Sequence, residues 1–530
     1  MSTDNTYNIN SSFDRYRKNR PIDIVNTLYL LFIVTVYTFY MHKKYFDITG
    51  TRAETFVTGS MMYLILAIVS IIIEIVMINY FGKKEPIIFK DTKLFFLPEV
   101  WAGIFLLANV FAFLMSPDKT GSWTGETGRY FGLSFVIVLV LTFIVLSQQT
   151  HISVYVYGAL FLVYSYSMVL AFLQHFGHDP FELTKDIVSR QKGMFISVSG
   201  NINTFGSYIC LALPIFLAIF IFSEKLLLRI IAAVAIVESG IGMIASKSDN
   251  VYLGLGVAFV LLFYIAIIEK KFTEYIFSIA FLFSGLEMMA LLSKKYSGSR
   301  KHINGIAEIL INPKMMAVLW VAIIAVLVAA IFFRTVNIEL YKKVQCNRFL
   351  VVFTILMIIS MIAVVVLGVR SKSSFFVFND KWGTYRGYIW RKGVALFKGA
   401  TPMQKLFGYG NETIGRYMIE RYYDEMIDVT GRKYDNLHCE LLQYLVTTGL
   451  FGMLAHVGFV STSFAYIGKR MKGDAVAIAC LASGVGYFTQ SLVNLNQPIT
   501  TPFFYVVLAA GIGYLRYKIQ GYGKSEDDAS

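Results

Sequence analysis

The sequence has 530 residues and a formal net charge of +14, with hydrophobic residues at 56%, charged residues at 15% and a mean hydropathy of +0.59. Soluble globular chains carry about 25% charge. Here the apolar residues gather in runs of the about 20 that a bilayer-crossing helix needs, so a string of soluble domains is excluded. Alternating segments of about ten residues, the mark of a membrane barrel, are missing too.

What remains is an all-α fold: a polytopic integral membrane helical bundle of about 14 transmembrane helices, with a large extracytoplasmic loop before helix 12. A backbone in lipid must satisfy its polar groups within its own segment, and helices do this.

Residues 1–24 form a polar segment ending in Arg15, Arg17, Lys18 and Arg20. The first apolar span, 25–41, runs into Met41-His42-Lys43-Lys44 and not into a small-residue cleavage site. It is therefore expected to be a retained helix with a cytoplasmic N-terminus. Spans follow at 57–80, 96–115, 131–148, 153–174, 204–223, 228–246, 251–268, 275–292, 315–333 and 349–369, completing a bundle section over 25–369. A loop covers 370–436. The last spans, 437–467, 475–494 and 502–516, make up the section 437–516, and 517–530 is a cytoplasmic tail. Lys83, Lys84, Lys90, Lys93, Lys225, Arg229, Lys270, Lys271, Lys342 and Lys343 fall in alternate short loops, which places those loops inside. Lys294, Lys295, Arg300 and Lys301 run against that bias.

Cys210, Cys346, Cys439 and Cys480 form no CxxC pair, so neither a disulfide framework nor a zinc site is expected. The chain has no P-loop, no strand-linked GxGxxG and no HExxH.

The loop 370–436 departs from the apolar pattern. It is too long for a passive connector, and it holds twelve Lys or Arg against seven Asp or Glu. It also holds Trp382, Tyr385, Tyr388, Trp390, Phe397, Phe407, Tyr409, Tyr417, Tyr422, Tyr423 and Tyr434. Guanidinium forks match phosphate oxygens, and aromatic rings stack on sugars, so an anionic, sugar-bearing ligand suits this composition. A solvated ectodomain with affinity for the membrane surface accounts for the charge as well.

Four stretches narrow the choice. They are Gly383-Thr384-Tyr385-Arg386-Gly387-Tyr388-Ile389-Trp390; Pro402 followed by Gly408-Tyr409-Gly410; Asp435-Asn436-Leu437-His438 at a span's mouth; and Gly449-Leu450-Phe451-Gly452 within that span. With Asn203-Thr204-Phe205-Gly206 before an earlier span, they resemble the O-antigen ligase and O-antigen polymerase superfamily of membrane glycosyltransferases. The match departs from the family pattern at two points. The family's Ser-Arg-Gly element reads Ser246-Lys247-Ser248-Asp249 here, and the residue after the His is Cys439 where Asn is usual.

The resemblance implies glycosyl transfer on the outer face of a bacterial cytoplasmic membrane. The donor would be a glycan on a polyprenyl diphosphate such as undecaprenyl diphosphate. The acceptor would be a hydroxyl on a glycan, lipid or polymer. No cofactor, no metal and no nucleic acid enter the scheme. His438 would be the acceptor's base and Arg386 a cation for the leaving diphosphate. Lys247, Arg129, Arg190, Trp390, Asn203 and Asp435 would contact the diphosphate or glycan.

Each residue also has a structural reading. Arg386 can pair with Asp380 or Asp424. Asp435 can orient His438 or bridge to an arginine. His456 can serve helix–helix bonding, and Glu74 can be paired inside the bundle. A flippase or exporter of lipid-linked saccharides is the alternative function, but the spans carry little of the charge such a pathway uses.

Overall fold

The computed structural model describes residues 20–80, 94–125, 128–296, 303, 305–336, 354, 355, 359, 362, 363, 366–371 and 376–520. Among the described residues every regular element is helical. The chain proceeds through α1 (Pro21–Phe39), α2 (Ile48–Tyr80), α3 (Pro98–Met115), the short α4 (Lys119–Thr124), α5 (Leu133–Gln148) and α6 (Val154–His175). Next come α7 (Ile202–Phe222), α8 (Leu226–Ser246), α9 (Asn250–Ile268), α10 (Phe272–Lys295), α11 (Gly305–Leu310) and α12 (Pro313–Val336). After these lie α13 (Trp382–Lys398), α14 (Pro402–Phe407) and α15 (Ile414–Thr430). The last four are α16 (Glu440–Thr447), α17 (Gly449–Gly468), α18 (Ala475–Ser491) and α19 (Thr501–Ile519).

Ten of the helices are long and apolar enough to cross a membrane, and α5 and α18 are apolar but shorter. Against an expectation of about 14, ten is what length and composition support among the described residues. The span expected at 349–369 lies mostly outside them, as do Arg15, Arg17 and Lys18.

The bundle forms around α7, nearly all of whose side chains are buried. In lipid, helices gain little from the hydrophobic effect on meeting one another, so close packing through small residues carries the association. Two contacts show this. A Cβ on Gly240 of α8 would come 2.4 Å from the Leu282 carbonyl of α10, and one on Gly285 of α10 would come 2.0 Å from the Val237 carbonyl of α8. Pro214 in α7 lacks the N–H that would bond the Cys210 carbonyl. Gly486 lets α18 approach that carbonyl, since a Cβ there would stand 2.7 Å from it.

The two ends of the bundle differ. At one end Arg516 donates to Glu99 Oε1 (2.7 Å) and to the Ser147 carbonyl (2.8 Å), and Arg20 donates to Asp23 (3.0 Å) and Glu74 (3.2 Å). Glu74 is thus paired inside the bundle. The opposite end carries Tyr45, Arg129, the 176–201 connection, the α8–α9 turn, α13 to α15 and His438.

Three local features differ from the sequence expectation. First, α2 starts at Ile48, inside the segment expected to be a loop. Arg52 makes this possible: it is buried and donates to the carbonyls of Tyr37, Thr38 and, at 3.0 Å, Val198. Second, the single span expected over 437–467 is two helices, α16 and α17, broken at Thr448 and Gly449. Gly449 has φ +71°, a conformation that favours glycine. Third, the segment 370–436 contains α13, α14 and α15 around a core of its own, which includes Tyr388, Ile389, Leu396, Tyr409, Ile414, Met418 and Met426. That core also takes in Leu437 and Val446, which ties it to α16.

The Gly-x-Gly stretch closes this joint. Tyr409 N–H donates to the Val446 carbonyl and Gly410 N–H to the Thr447 carbonyl, both at 3.0 Å. A Cβ on Gly408 would lie 2.1 Å from the Thr447 carbonyl, and one on Gly449 would lie 2.3 Å from the Leu406 carbonyl.

Overpacking a close helix contact costs about 1–3 kcal/mol. Gly285→Leu is therefore expected to lower the detergent melting temperature measured by fluorescence-detected gel filtration. Gly256→Leu, whose Cβ meets nothing within 4 Å, leaves that temperature unchanged.

Candidate functional site

His438 sits in a short extended run between α15 and α16, and its own backbone is left-handed, with φ +49°. Such a conformation needs the surroundings to impose it. Trp390 Nε1 donates to the Leu437 carbonyl at 3.0 Å, and Gln443 Oε1 accepts from Leu437 N–H at 3.1 Å. Asn436 Oδ1 accepts from His438 N–H at 2.8 Å. The imidazole Nδ1 lies 3.1 Å from the Asn436 carbonyl. A carbonyl only accepts, so Nδ1 carries the proton and the lone pair is on Nε2. Tyr434 packs edge-on against the ring, with centroids 5.9 Å apart.

The imidazole lines a cavity of about 360 Å³ together with Arg129, Asn203 and Thr204. Tyr45 and Asp47 from the α1–α2 connection, Thr49 at the start of α2, Asn201 ahead of α7, and Asn494 and Gln497 between α18 and α19 add to the polar part of the wall. The floor is a hydrogen-bonded lattice of amides and hydroxyls. Ser248 Oγ donates to Asn203 Oδ1 (2.8 Å), Gln497 Nε2 to Thr204 Oγ1 (2.5 Å) and Asn494 Nδ2 to Ser207 Oγ (3.1 Å). Tyr130, Ser197, Lys247, Thr384, Tyr385 and His438, in the segments around this end of the bundle, all have φ between +49° and +70°. Left-handed non-glycine residues of this kind collect where a site is held against local preference.

The electrostatics are cationic. Burial pushes the His438 pKa down to about 4, helped by the Arg129 and Arg386 guanidiniums and opposed by the Asn436 carbonyl and Asp435. At neutral pH the ring is an uncharged base. Burial pushes the Asp435 carboxyl up, but the charge and hydrogen bond of Arg129, with a backbone hydrogen bond and His438, together outweigh this and hold it below the usual range. Burial also lowers the Arg386 pKa, against the favourable charges of Tyr434 and Asp249.

Of the residues singled out in the sequence, Arg129, Asn203 and His438 line one cavity. Asp435 bridges to Arg129, with Nε to Oδ2 at 3.1 Å and Nη2 to Oδ1. Arg386 does not line the cavity, but its charge acts on His438. It donates from Nη1 to the Gly383 carbonyl at 3.0 Å, across a left-handed turn at Gly383, Thr384 and Tyr385. Asp380 is taken by Arg391, at 3.0 and 2.8 Å, and among the described residues no carboxylate pairs with Arg386.

Trp390 holds the backbone ahead of His438 and packs on Trp382, with centroids 5.3 Å apart. This is a positioning role. Lys247 caps the end of α8 beside Ser248 and is not on the cavity wall. Arg190 is exposed in the 176–201 connection and lies outside the wall as well. His456 is fully buried, 3.7 Å from Glu440 Oε1, and makes no hydrogen bond among the described residues.

Tyr45, Asp47, Asn494 and Gln497 were not singled out in the sequence. One signal was available for the last two. Gln490, Asn494, Asn496 and Gln497 put four amides at the end of an apolar span, where polar side chains need a reason.

Residues 309–457 match the family described as O-antigen ligase. That match, over a little more than a quarter of the chain, supports membership of the O-antigen ligase and polymerase superfamily, to which the sequence motifs already point. The matched segment contains Arg386, Trp390, the Gly408–Gly410 stretch, His438 and the Gly449–Gly452 break. Arg129, Asn203 and Lys247 fall outside it. Comparison of the sequence with curated proteins gives no match.

An NMR titration of the His438 ring, assigned against His438→Gln, should find its midpoint near pH 4. Arg129 disfavours the imidazolium, so Arg129→Gln is expected to move that midpoint upward. A midpoint unmoved by the substitution would mean that Arg129 does not act on the ring.

Proposed function

We propose that this protein transfers a glycan from a polyprenyl-diphosphate carrier to an acceptor hydroxyl, on the outer face of the bacterial cytoplasmic membrane, during assembly of a surface polysaccharide. The observation that carries this reading is a neutral His438 base with Nε2 available, flanked by two guanidiniums, at the open end of a membrane bundle.

In the proposed course the acceptor oxygen attacks the anomeric carbon and a new C–O bond forms. The bond from that carbon to the diphosphate oxygen breaks on the opposite side, which inverts the centre. The acceptor's proton passes to His438 Nε2 and from there to water. The leaving diphosphate carries the developing charge, which fixed cations stabilise best when they are already in place. Arg386 serves this purpose, together with Arg129, which first exchanges Asp435 for phosphate oxygen. Arrival of the diphosphate adds negative charge next to His438 and raises its pKa, which suits a base at neutral pH.

The test uses a deletion strain carrying plasmid copies, with its surface glycan resolved by length. A polymerase leaves single repeats when it is lost, whereas a ligase leaves long chains on the carrier. In purified protein, His438→Ala is expected to slow transfer by about 10²–10⁴-fold, the usual worth of a positioned base. Arg386→Ala is expected to lower the rate more than Arg386→Lys does. Full activity in His438→Ala with loss in Asp47→Asn would move the base to Asp47. Movement of lipid-linked saccharide across vesicles without chemical change would replace the enzyme by a transporter.

A further inference from the structure

A second cavity, of about 370 Å³, opens on the same end of the bundle as His438. Its size falls within the about 300–1,000 Å³ typical of small-ligand sites. Every residue lining it is polar or glycine: Gln174, His178, Asp179, Thr184, Ser189 and Lys192, with Gly177 and Gly193. Apolar side chains dominate most ligand pockets, so this lining selects a ligand covered with hydrogen-bonding groups.

The walls are held in place before any ligand arrives. Asp179 Oδ2 accepts from Thr184 N–H (2.9 Å) and Oγ1 (2.8 Å), and Asp179 Oδ1 accepts from Gln174 Nε2 (3.2 Å). Those hydrogen bonds outweigh the effect of burial and keep the Asp179 carboxyl below its usual range, so at neutral pH it is an acceptor.

The two cavities share a partition. Phe195 and Tyr45 line the first, stacked with centroids 5.5 Å apart, and Lys192 and Gly193, a few residues earlier in the same connection, line the second. Gln174 joins the two sides: its Nε2 donates to Tyr45 Oη at 3.0 Å, and its Oε1 accepts from Ser197 N–H at 2.6 Å. A glycan whose reacting carbon or hydroxyl sits at His438 has to place its further sugars along this end of the bundle. The second cavity, adjoining through the Tyr45–Gln174 contact, offers a wall of hydroxyl, amide, imidazole, ammonium and carboxylate groups.

Resting on the transfer reaction proposed above, we infer that the Gln174–Gly193 cavity is a glycan subsite, holding a sugar one or more residues away from the bond being made. The ligand is a hydroxyl-rich pyranose of either the donor or the acceptor glycan, and kinetics distinguish the two sources. Arg190, next to Ser189 in the chain, belongs to the connection that forms this subsite.

Gly193 provides the test. A Cβ there meets nothing within 4 Å, and its φ is not in the left-handed range, so a large side chain is accommodated by the backbone and projects into open space. Full-length protein is reconstituted with lipid-linked glycan and acceptor glycan prepared from the deletion strain. In Gly193→Trp the KM for one of the two glycans is expected to rise on the order of tenfold, about 1.4 kcal/mol of binding, with kcat for the remaining turnover little changed. A rise for the acceptor assigns the subsite to the acceptor, and a rise for the donor assigns it to the donor.

The second measurement is saturation-transfer NMR with the free repeat oligosaccharide, stripped of its carrier by mild acid. Binding is expected in the parent and in His438→Ala, and is lost in Gly193→Trp. The subsite is overturned if Gly193→Trp, with the parent's melting temperature, keeps both KM values and the oligosaccharide signal while His438→Ala abolishes transfer. If His438→Ala transfers normally but Gly193→Trp still loses the oligosaccharide, the catalytic assignment fails and the subsite stands.

Discussion

His438 can offer Nε2 to a substrate because the residue before it has no freedom. Leu437 is held at its N–H by Gln443, at its carbonyl by Trp390 and at its side chain by the core of the 370–436 segment. Those three attachments come from α16, α13 and the packing between them, and they fix the direction in which the chain leaves Leu437. His438 follows in a left-handed conformation that costs a non-glycine residue on the order of 1–2 kcal/mol. Asn436 caps the turn, bonding the His438 N–H with its side chain and Nδ1 with its carbonyl. The tautomer is therefore a consequence of the backbone, and the backbone is a consequence of how the loop helices pack on α16.

The glycine-rich stretches belong to the same chain of cause. Gly408 and Gly449 bring two backbones closer than any side chain allows, and the Tyr409 and Gly410 N–H groups bond the carbonyls at the end of α16. That joint stops α16 after two turns and lets α17 set off from Gly449. These glycines are packing devices, and they act on His438 through the position of α16 and Gln443.

Much of this was legible in the sequence, and the part that was not has a physical reason. Apolar runs mark helices in lipid because length and composition are set by the bilayer, so the spans and the exceptional 370–436 segment stand out. His438 and Arg386 stand out because their neighbours repeat a recognisable order. Asp47, Asn494 and Gln497 do not, since each sits in a short connection and becomes a wall only when three separate helix ends meet. Trp390 was read as a surface for sugars. An indole's face and its N–H are equally present in the letter W, and the fold uses the N–H. Arg52 lies ahead of the span expected at 57–80 and carries no apolar signal, yet backbone carbonyls at the end of α1 and before α7 supply the acceptors that make its burial tolerable.

The two arginines whose charges act on His438 are held in different ways. Arg386 is half-buried, with one guanidinium nitrogen on the Gly383 carbonyl, and Nε is buried without a hydrogen bond among the described residues. A cation in that state has already lost much of its water, so an arriving phosphate oxygen gains an interaction without stripping a full hydration shell. Arg129 is instead held by Asp435, whose side chain is 43% exposed. The carboxylate's side of this partly buried pair is open enough for Asp435 to turn to water, so in the proposed reaction a doubly charged diphosphate can take its place. In that proposed reaction, Asp435 holds Arg129 until the diphosphate takes its place. In the transfer reaction proposed above, the same exchange adds negative charge beside His438, and donor binding and activation of the acceptor are then coupled through one guanidinium.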